Sequence, residues 1–144
     1  MSRFADPHVN VQQFDLPEGS VVVDIGAGAG HYALPLAKKV GTTGKVYAVD
    51  VQRELLDKLK RQAKTEHVHG VEIVWGDVEK LGGTGLRDGL ANAVLFSNVL
   101  FQVEHRKIAL EEATRLLKSG GLLYVIDWSD SFGHTGPRPE DVFT

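Results

Sequence analysis

The chain contains no cysteine, which excludes a disulfide framework, a thiolate metal site and a cysteine nucleophile. Long apolar runs are missing too, and nothing approaches the roughly 20 consecutive apolar residues that span a bilayer. The opening Met1-Ser2-Arg3-Phe4-Ala5-Asp6-Pro7-His8 lacks the apolar stretch of a signal peptide. A cytoplasmic protein with no membrane partner is therefore expected. Charge of one sign is also scarce: 16 Lys and Arg stand against 19 Asp and Glu, a net of −3, so no electrostatic reason exists to expect nucleic acid. No serine-histidine-aspartate set or other nucleophile constellation is visible, which argues against a hydrolase. The pair His67-x-His69 has no carboxylate or third ligand at useful spacing, so no metal is expected.

What remains is ordinary globular chemistry, with 42% hydrophobic and 24% charged residues in 144, enough chain for a substantial core. No repeat or low-complexity linker divides it. Residues 1–144 read as one domain, with a short amino-terminal segment (1–18), a core (19–128) and a tail (129–144). Phe4, Val9, Val11 and Phe14 in the first segment are enough for a partial lid.

Within the core, short β-branched runs alternate with helical periodicity. Val21-Val22-Val23-Asp24-Ile25 has no polar-apolar alternation, as suits a parallel strand covered on both faces. Further strands are expected at residues 45–50, 71–75, 93–97 and 122–127. Helices are expected at 31–40, 52–65 and 104–117, the first starting near Gly30 to Tyr32 so that Pro35 falls near its first turn. Ser119-Gly120-Gly121 reads as the stop of the last helix. Residues 78–89 carry four glycines and read as a loop. The fold class is α/β: a doubly wound, mainly parallel sheet of about five strands with helices on both faces. Such sheets bind ligands beyond the carboxyl ends of their strands, where strand order reverses.

The chemically distinctive residues fall at those ends. After the first strand comes Asp24-Ile25-Gly26-Ala27-Gly28-Ala29-Gly30. Glycine here lets the backbone approach a ligand closely, and the following helix offers free N–H groups. Asp24 can accept from a ligand amine. Asp50, 22 residues after Gly28 and followed by Val51, can accept from both hydroxyls of a ribose. Asp77, in Gly76-Asp77-Val78 after the third strand, can accept from an exocyclic amine such as adenine N6. Together the three carboxylates would read the amine, ribose and base of one nucleoside-bearing amino acid. A nicotinamide dinucleotide is the rival ligand, but the spacing Gly-x-Gly-x-x-Gly fails: counted from Gly26 it ends on His31, and from Gly28 on Ala33.

Over residues 17–128 the chain resembles the class I S-adenosylmethionine-dependent methyltransferases, and within them the small-molecule branch of quinone-biosynthesis and arsenite enzymes. The resemblance rests on Val22-Val23-Asp24-Ile25-Gly26-Ala27-Gly28-Ala29-Gly30, on Asp50 closing Val46-Tyr47-Ala48-Val49-Asp50, and on Gly76-Asp77-Val78. It extends to Ala93-Val94-Leu95-Phe96-Ser97-Asn98-Val99-Leu100 and to Arg115-Leu116-Leu117-Lys118-Ser119-Gly120-Gly121. It implies a Rossmann-like fold and S-adenosylmethionine as methyl donor, with S-adenosylhomocysteine as product. It also implies contacts from the Asp77 carboxylate and the Val78 amide to adenine, and Ser97 and Asn98 at the mouth shared by donor and acceptor. The acceptor is expected to be a small molecule, and no catalytic residue is assigned. Two other functions are carried: a noncatalytic donor-binding module or fragment that needs a partner chain, and a nicotinamide-dependent oxidoreductase.

The family sheet has seven strands, whereas this chain offers five before its tail, where Pro137-Arg138-Pro139-Glu140-Asp141 reads as a helix start. The chain is read either as truncated or as a minimal version. In the second case the fifth-strand edge is expected to be covered by the tail or by another copy in a homo-oligomer. Asp127 reads equally as a substrate-facing group or a cap. Trp75 and Trp128 read as packing residues, and His31, Tyr32 and His105 as solvated helix-start residues.

Overall fold

A computed structural model describes residues 6–97 and 103–126. Five strands, β1 (Val21–Ile25), β2 (Lys45–Asp50), β3 (Val71–Trp75), β4 (Ala91–Ser97) and β5 (Leu117–Ile126), form one sheet in the order β3-β2-β1-β4-β5. All four pairings are parallel. Four helices accompany them: α1 (Pro7–Gln12), α2 (Ala33–Val40), α3 (Arg53–Thr65) and α4 (Val103–Leu116).

The two-residue period of the strands divides the core in two. Val22, Val46, Ala48, Ala93 and Leu95 point to one face, where Leu36, Leu56, Leu59 and Ala63 of α2 and α3 cover them. Val23, Ile25, Val49, Val94 and Phe96 point to the other, against Ala109, Ala113 and Leu116 of α4. A sheet buried on both sides has no use for alternating polarity, which is why β1 reads as a continuous apolar run. Asp24, Asp50 and Ser97 share the parity of the α2 and α3 face. Among the described residues no helix is long and apolar enough to cross a membrane.

Three local expectations need adjustment. Helix α2 starts at Ala33, although Leu34 N–H already donates to Gly30 O at 3.1 Å and Leu36 N–H to Tyr32 O at 2.9 Å. Pro35 lies in the first turn, where its ring costs little. Strand β4 begins two residues earlier than its apolar run, at Ala91, because the Asn92 side chain accepts from Val21 N–H at 2.7 Å and ties the start of β4 to β1. The expected stop at Ser119-Gly120-Gly121 is a bulge inside β5. Leu117 pairs with Ala91 and Leu122 with Ala93, so residues 118–121 stand opposite Asn92, and regular pairing resumes at Leu122 as the apolar run implies.

The amino-terminal segment crosses the α2 face. Asp6 caps α1 by accepting from His8 N–H at 3.1 Å, Val11 is buried, and Phe14 stacks on Tyr124 of β5 with ring centroids 4.3 Å apart. Phe4 lies outside the described residues. Leu59 bears on both the core and the glycine turn: it has no exposed surface, and a Cβ built on Gly30 would fall 2.3 Å from its Cδ1. Leu59→Ala is expected to cost about 2–5 kcal/mol of stability by leaving a cavity; urea denaturation measures this, and a change near zero would mean the turn does not rest on α3.

Candidate functional site

The chain winds outward from β1 through β2 to β3, then returns to place β4 on the other side of β1. Strand order therefore reverses between β1 and β4, and the crevice beyond their carboxyl ends is the natural ligand site of such a sheet. Asp24 and Ser97 meet there. The Ser97 hydroxyl donates to Asp24 Oδ1 at 2.7 Å, and Asp24 has no exposed surface. Its other oxygen, Oδ2, is buried with no hydrogen-bond partner among the described residues. Leaving a carboxylate oxygen so placed is costly. Burial raises the Asp24 carboxyl to about 7, against the Ser97 hydrogen bond and with help from the Asp50 charge.

The glycine turn wraps this group. Gly26 and Ala27 N–H both donate to Val49 O, at 2.8 and 3.1 Å, which fastens the turn to the end of β2. Gly28 N–H then donates to Asp50 Oδ2 at 2.9 Å, while Gln52 N–H donates to Asp50 Oδ1 at 2.9 Å. Asp50 is thus held by one bond on each oxygen, leaving further acceptor capacity on both. Gly30 has φ of +98° and sits against Leu59, so this position needs glycine for conformation and for space. Val51 is exposed. Trp75, expected as a packing residue, is 65% exposed at the sheet edge. Its Nε1 donates to Val51 O at 2.9 Å and the Arg53 guanidinium lies 5.3 Å from its ring centre, so it braces the turn after Asp50 from outside.

Gly76 N–H donates to Asp50 O at 3.1 Å, which sets the third strand end beside the second. Asp77 Oδ1 accepts from Glu79 N–H at 2.9 Å. The Val78 side chain is buried in the α4-side core. Asp24, Gly26, Ala27, Gly28, Gly30, Asp50, Val51, Gly76, Asp77, Val78 and Ser97 therefore all lie at or just beyond the carboxyl ends of β1 to β4. Asn98, Asp127 and Trp128 lie outside the described residues.

Two residues go beyond what the sequence reading assigned. Tyr32, expected in solvent, is 4% exposed, and its hydroxyl accepts from Asn10 Nδ2 at 2.8 Å. The signal was its position one turn ahead of the buried Leu36. Glu112 has no exposed surface yet receives Gly82 N–H at 2.7 Å, the Thr84 hydroxyl at 2.7 Å and both Arg115 Nε and Nη2, at 2.9 and 2.7 Å. Burial pushes Glu112 up, but hydrogen bonds from Arg115, Thr84 and Gly82 outweigh it and hold the carboxyl at about 2. The signal here was a carboxylate three residues after Ala109 and next to Ala113, inside the apolar stripe of α4. His105, half-exposed, pairs through Nδ1 with Glu79. His67 and His69 are exposed, and the described residues contain no group of three side chains able to hold a metal.

The family model described as a methyltransferase domain matches residues 23–125. The chain belongs to this methyltransferase family. It is 31% identical over 122 residues to a ubiquinone/menaquinone biosynthesis C-methyltransferase of Chromobacterium violaceum, covering 85% of this chain and 48% of that protein. To an arsenite methyltransferase of Halobacterium salinarum it is 27% identical, over 86% of this chain and 30% of that one. The crystal structure of a SAM-dependent methyltransferase from Aquifex aeolicus superposes with a TM-score of 0.78 at 32% identity, covering 98% of this chain and 73% of that one. The chain spans between about a third and a half of the length of the curated relatives it matches.

Asp24 gives this methyltransferase domain a testable pH dependence. Its carboxyl rises from 3.8 to about 7 on folding, so between those values the folded chain holds a proton that the unfolded chain has released. Stability from this group is full below pH 4 and is lost as pH rises through 7. Glu112 acts in the opposite sense and only at lower pH, below 4.5. Asp24→Asn cannot ionise and is expected to flatten the fall in melting temperature of the ligand-free protein between pH 4.5 and 7. Parallel profiles for the variant and the parent would contradict the protonated, buried state.

Proposed function

We propose that this chain, acting as a single domain, binds S-adenosylmethionine at the carboxyl ends of β1, β2 and β3 and transfers its methyl group to a small-molecule acceptor. The observation that carries the reading is the Asp24 carboxylate, wholly buried with Oδ2 unpartnered among the described residues, beside Asp50 and in line with Asp77 on successive strand ends. A buried acceptor of this kind suits a ligand ammonium, which supplies both the missing hydrogen bond and the opposite charge. Asp50, anchored through Gly28 and Gln52 N–H, retains acceptor capacity for two ribose hydroxyls. Asp77 offers an acceptor to an exocyclic amine of a base. The residues present therefore fit the donor.

When bound, the donor supplies a methyl group already activated by the sulfonium. The work left to the protein is orientation and exclusion of water, which can supply much of the acceleration in a displacement of this type. Ser97 fixes the Asp24 carboxylate and so the direction from which an ammonium is held. The fastening of Gly26 and Ala27 to Val49 O keeps the turn beneath it. A general base is required only if the acceptor must lose a proton in the step, and no side chain is assigned to that role. The small-molecule acceptor is supported by relatives named as demethylmenaquinone and arsenite methyltransferases. The cytoplasm is the proposed setting.

Asn98 is proposed to join Ser97 at the mouth of the site, and the Val78 amide to meet the base. We also propose that a second copy covers β5, which pairs only with β4 among the described residues and keeps every residue from Gly121 to Ile126 at least partly exposed. An open strand edge of this length is a template for pairing. Light scattering is expected to give a dimer; a monomer would remove this assembly.

Calorimetry with S-adenosylhomocysteine and with NADH tests the main reading. Binding of the first and not the second is expected, and tight NADH binding without response to the homocysteine ligand would overturn it. Asp50→Ala is expected to weaken S-adenosylhomocysteine by about 1–3 kcal/mol through lost charge-assisted hydrogen bonds, and an unchanged affinity in a folded variant would take Asp50 out of the site. Methyl transfer by the isolated chain across quinone-like and arsenite acceptors then separates an enzyme from a binding module.

A further inference from the structure

The loop between β3 and β4 carries Asp77, and its shape is set by contacts that converge on one buried group. Gly82 N–H donates to Glu112 Oε1 at 2.7 Å, and Thr84 donates to Oε2 through its hydroxyl at 2.7 Å and its N–H at 3.4 Å. Thr84 itself is buried. Arg115 closes the other side of the carboxylate with two bonds, and its Nη1 reaches Asp88 Oδ1 at 2.6 Å. Gly89 N–H donates to Arg115 O at 2.9 Å. Helix α4 therefore holds the loop at residues 82, 84, 88 and 89.

The residues so held press directly on the base-side turn. Gly83 O accepts from Asp77 N–H at 3.2 Å, and Gly83 N–H donates to Lys80 O at 2.8 Å. A Cβ on Gly83 would lie 2.0 Å from Asp77 O, and one on Gly76 would lie 2.9 Å from Gly83 O and 3.1 Å from Thr84 Cα. Backbone meets backbone at both points, and the bond from Asp77 N–H to Gly83 O ties residues 82–84 to residues 76 and 77.

We propose that Glu112 is a positioning residue for base recognition: by clamping Gly82 and Thr84 to α4 it fixes the Asp77 carboxylate where it distinguishes an adenine amine from an oxygen. This rests on the reading that the base of S-adenosylmethionine lies at Gly76-Asp77-Val78. Glu112 touches neither donor nor acceptor; it acts through the loop. The hydrogen bonds, with a carboxylate accepting from two backbone N–H groups, a hydroxyl and a guanidinium, are of the strong, charge-assisted kind. A glutamine in its place keeps the volume but turns an amine toward donors, leaving at least one of them unmet.

The test compares S-adenosylhomocysteine with S-inosylhomocysteine, which carries an oxygen in place of the N6 amine, by calorimetry on the wild-type chain, Glu112→Gln and Thr84→Val. Thr84→Val removes the hydroxyl's bond to Glu112, and its longer contacts from Leu86 N–H and Arg115 Nη2, while retaining the Glu112–Arg115 pair, so it reports even if Glu112→Gln does not fold. The wild-type chain is expected to prefer the adenosyl ligand by about tenfold or more, the worth of one hydrogen bond to a charged acceptor. That preference is expected to fall in Thr84→Val and further, toward unity, in Glu112→Gln. A merely structural role would weaken both ligands together and keep the ratio. A retained ratio, or a wild-type chain that binds S-adenosylhomocysteine without discriminating, overturns the positioning role and leaves the donor reading standing. A wild-type chain that binds neither ligand overturns the donor reading itself.

Discussion

The placement of the Asp24 carboxylate at the buried end of the central strand is the constraint around which the rest is arranged. Strand β1 is flanked on both sides, so anything at its carboxyl end is screened from water by β2, β4 and the turn that follows. Ser97, at the end of β4, satisfies one oxygen; in the turn, Gly26 and Ala27 N–H are committed to Val49 O and Gly28 N–H to Asp50, and the other oxygen has no partner among the described residues. The cost is carried by the remainder of the core, in which Val22, Val23, Leu36, Leu56 and Leu59 are all essentially inaccessible. This unsatisfied buried oxygen is the feature on which the proposed binding of a ligand ammonium rests.

Two buried carboxylates, Asp24 on strand β1 and Glu112 on helix α4, illustrate how environment separates function from structure. Asp24 has one hydrogen bond and the nearby charge of Asp50, and burial pushes it up. Glu112 is equally inaccessible but receives backbone, hydroxyl and guanidinium donors, and is held far down. The first has unmet acceptor capacity among the described residues and lies at the carboxyl end of β1, beside the switch point. The second is complete and faces the inside of a loop. The group with unmet capacity is the one to read as a binding group, while the satisfied one is read for what it holds in place.

The sheet, its parallel order and the gathering of the candidate residues at its strand ends were legible in the sequence because they follow from strong local patterns. Continuous apolar runs at Val21 and Ala93, helical stripes such as Leu56, Leu59 and Ala63, and acidic residues at strand ends each carry their meaning within a few residues. What escaped depended on distant contacts. Trp75 reads as a packing residue, but strand β3 is an edge and its last residue turns outward, so what it packs on is Arg53 and Val51 O and not the core. Tyr32 looks like a solvated helix start, yet α1 folds over it and Asn10 supplies its hydroxyl with a donor. Ser119-Gly120-Gly121 looks like a helix stop, yet β5 can begin at Leu117 because the extra residues bulge opposite Asn92.

Gly76 and Gly83 show the same division at finer grain. Gly76 reads in sequence as part of the Gly76-Asp77-Val78 motif and Gly83 as a loop glycine, and neither has a left-handed backbone to explain it. Their requirement is mutual: the two segments cross so closely that a Cβ on either would enter the other's backbone. Close crossing transmits position without any side chain, so a clamp on α4 can govern the orientation of a carboxylate at the end of β3 that it never touches. A loop with four glycines would ordinarily be a poor platform for base recognition, because each glycine adds backbone freedom that binding must remove. The buried Glu112–Arg115 pair resolves that conflict by ordering the loop in advance, so the glycines serve close packing and the ordering is already complete when a ligand arrives.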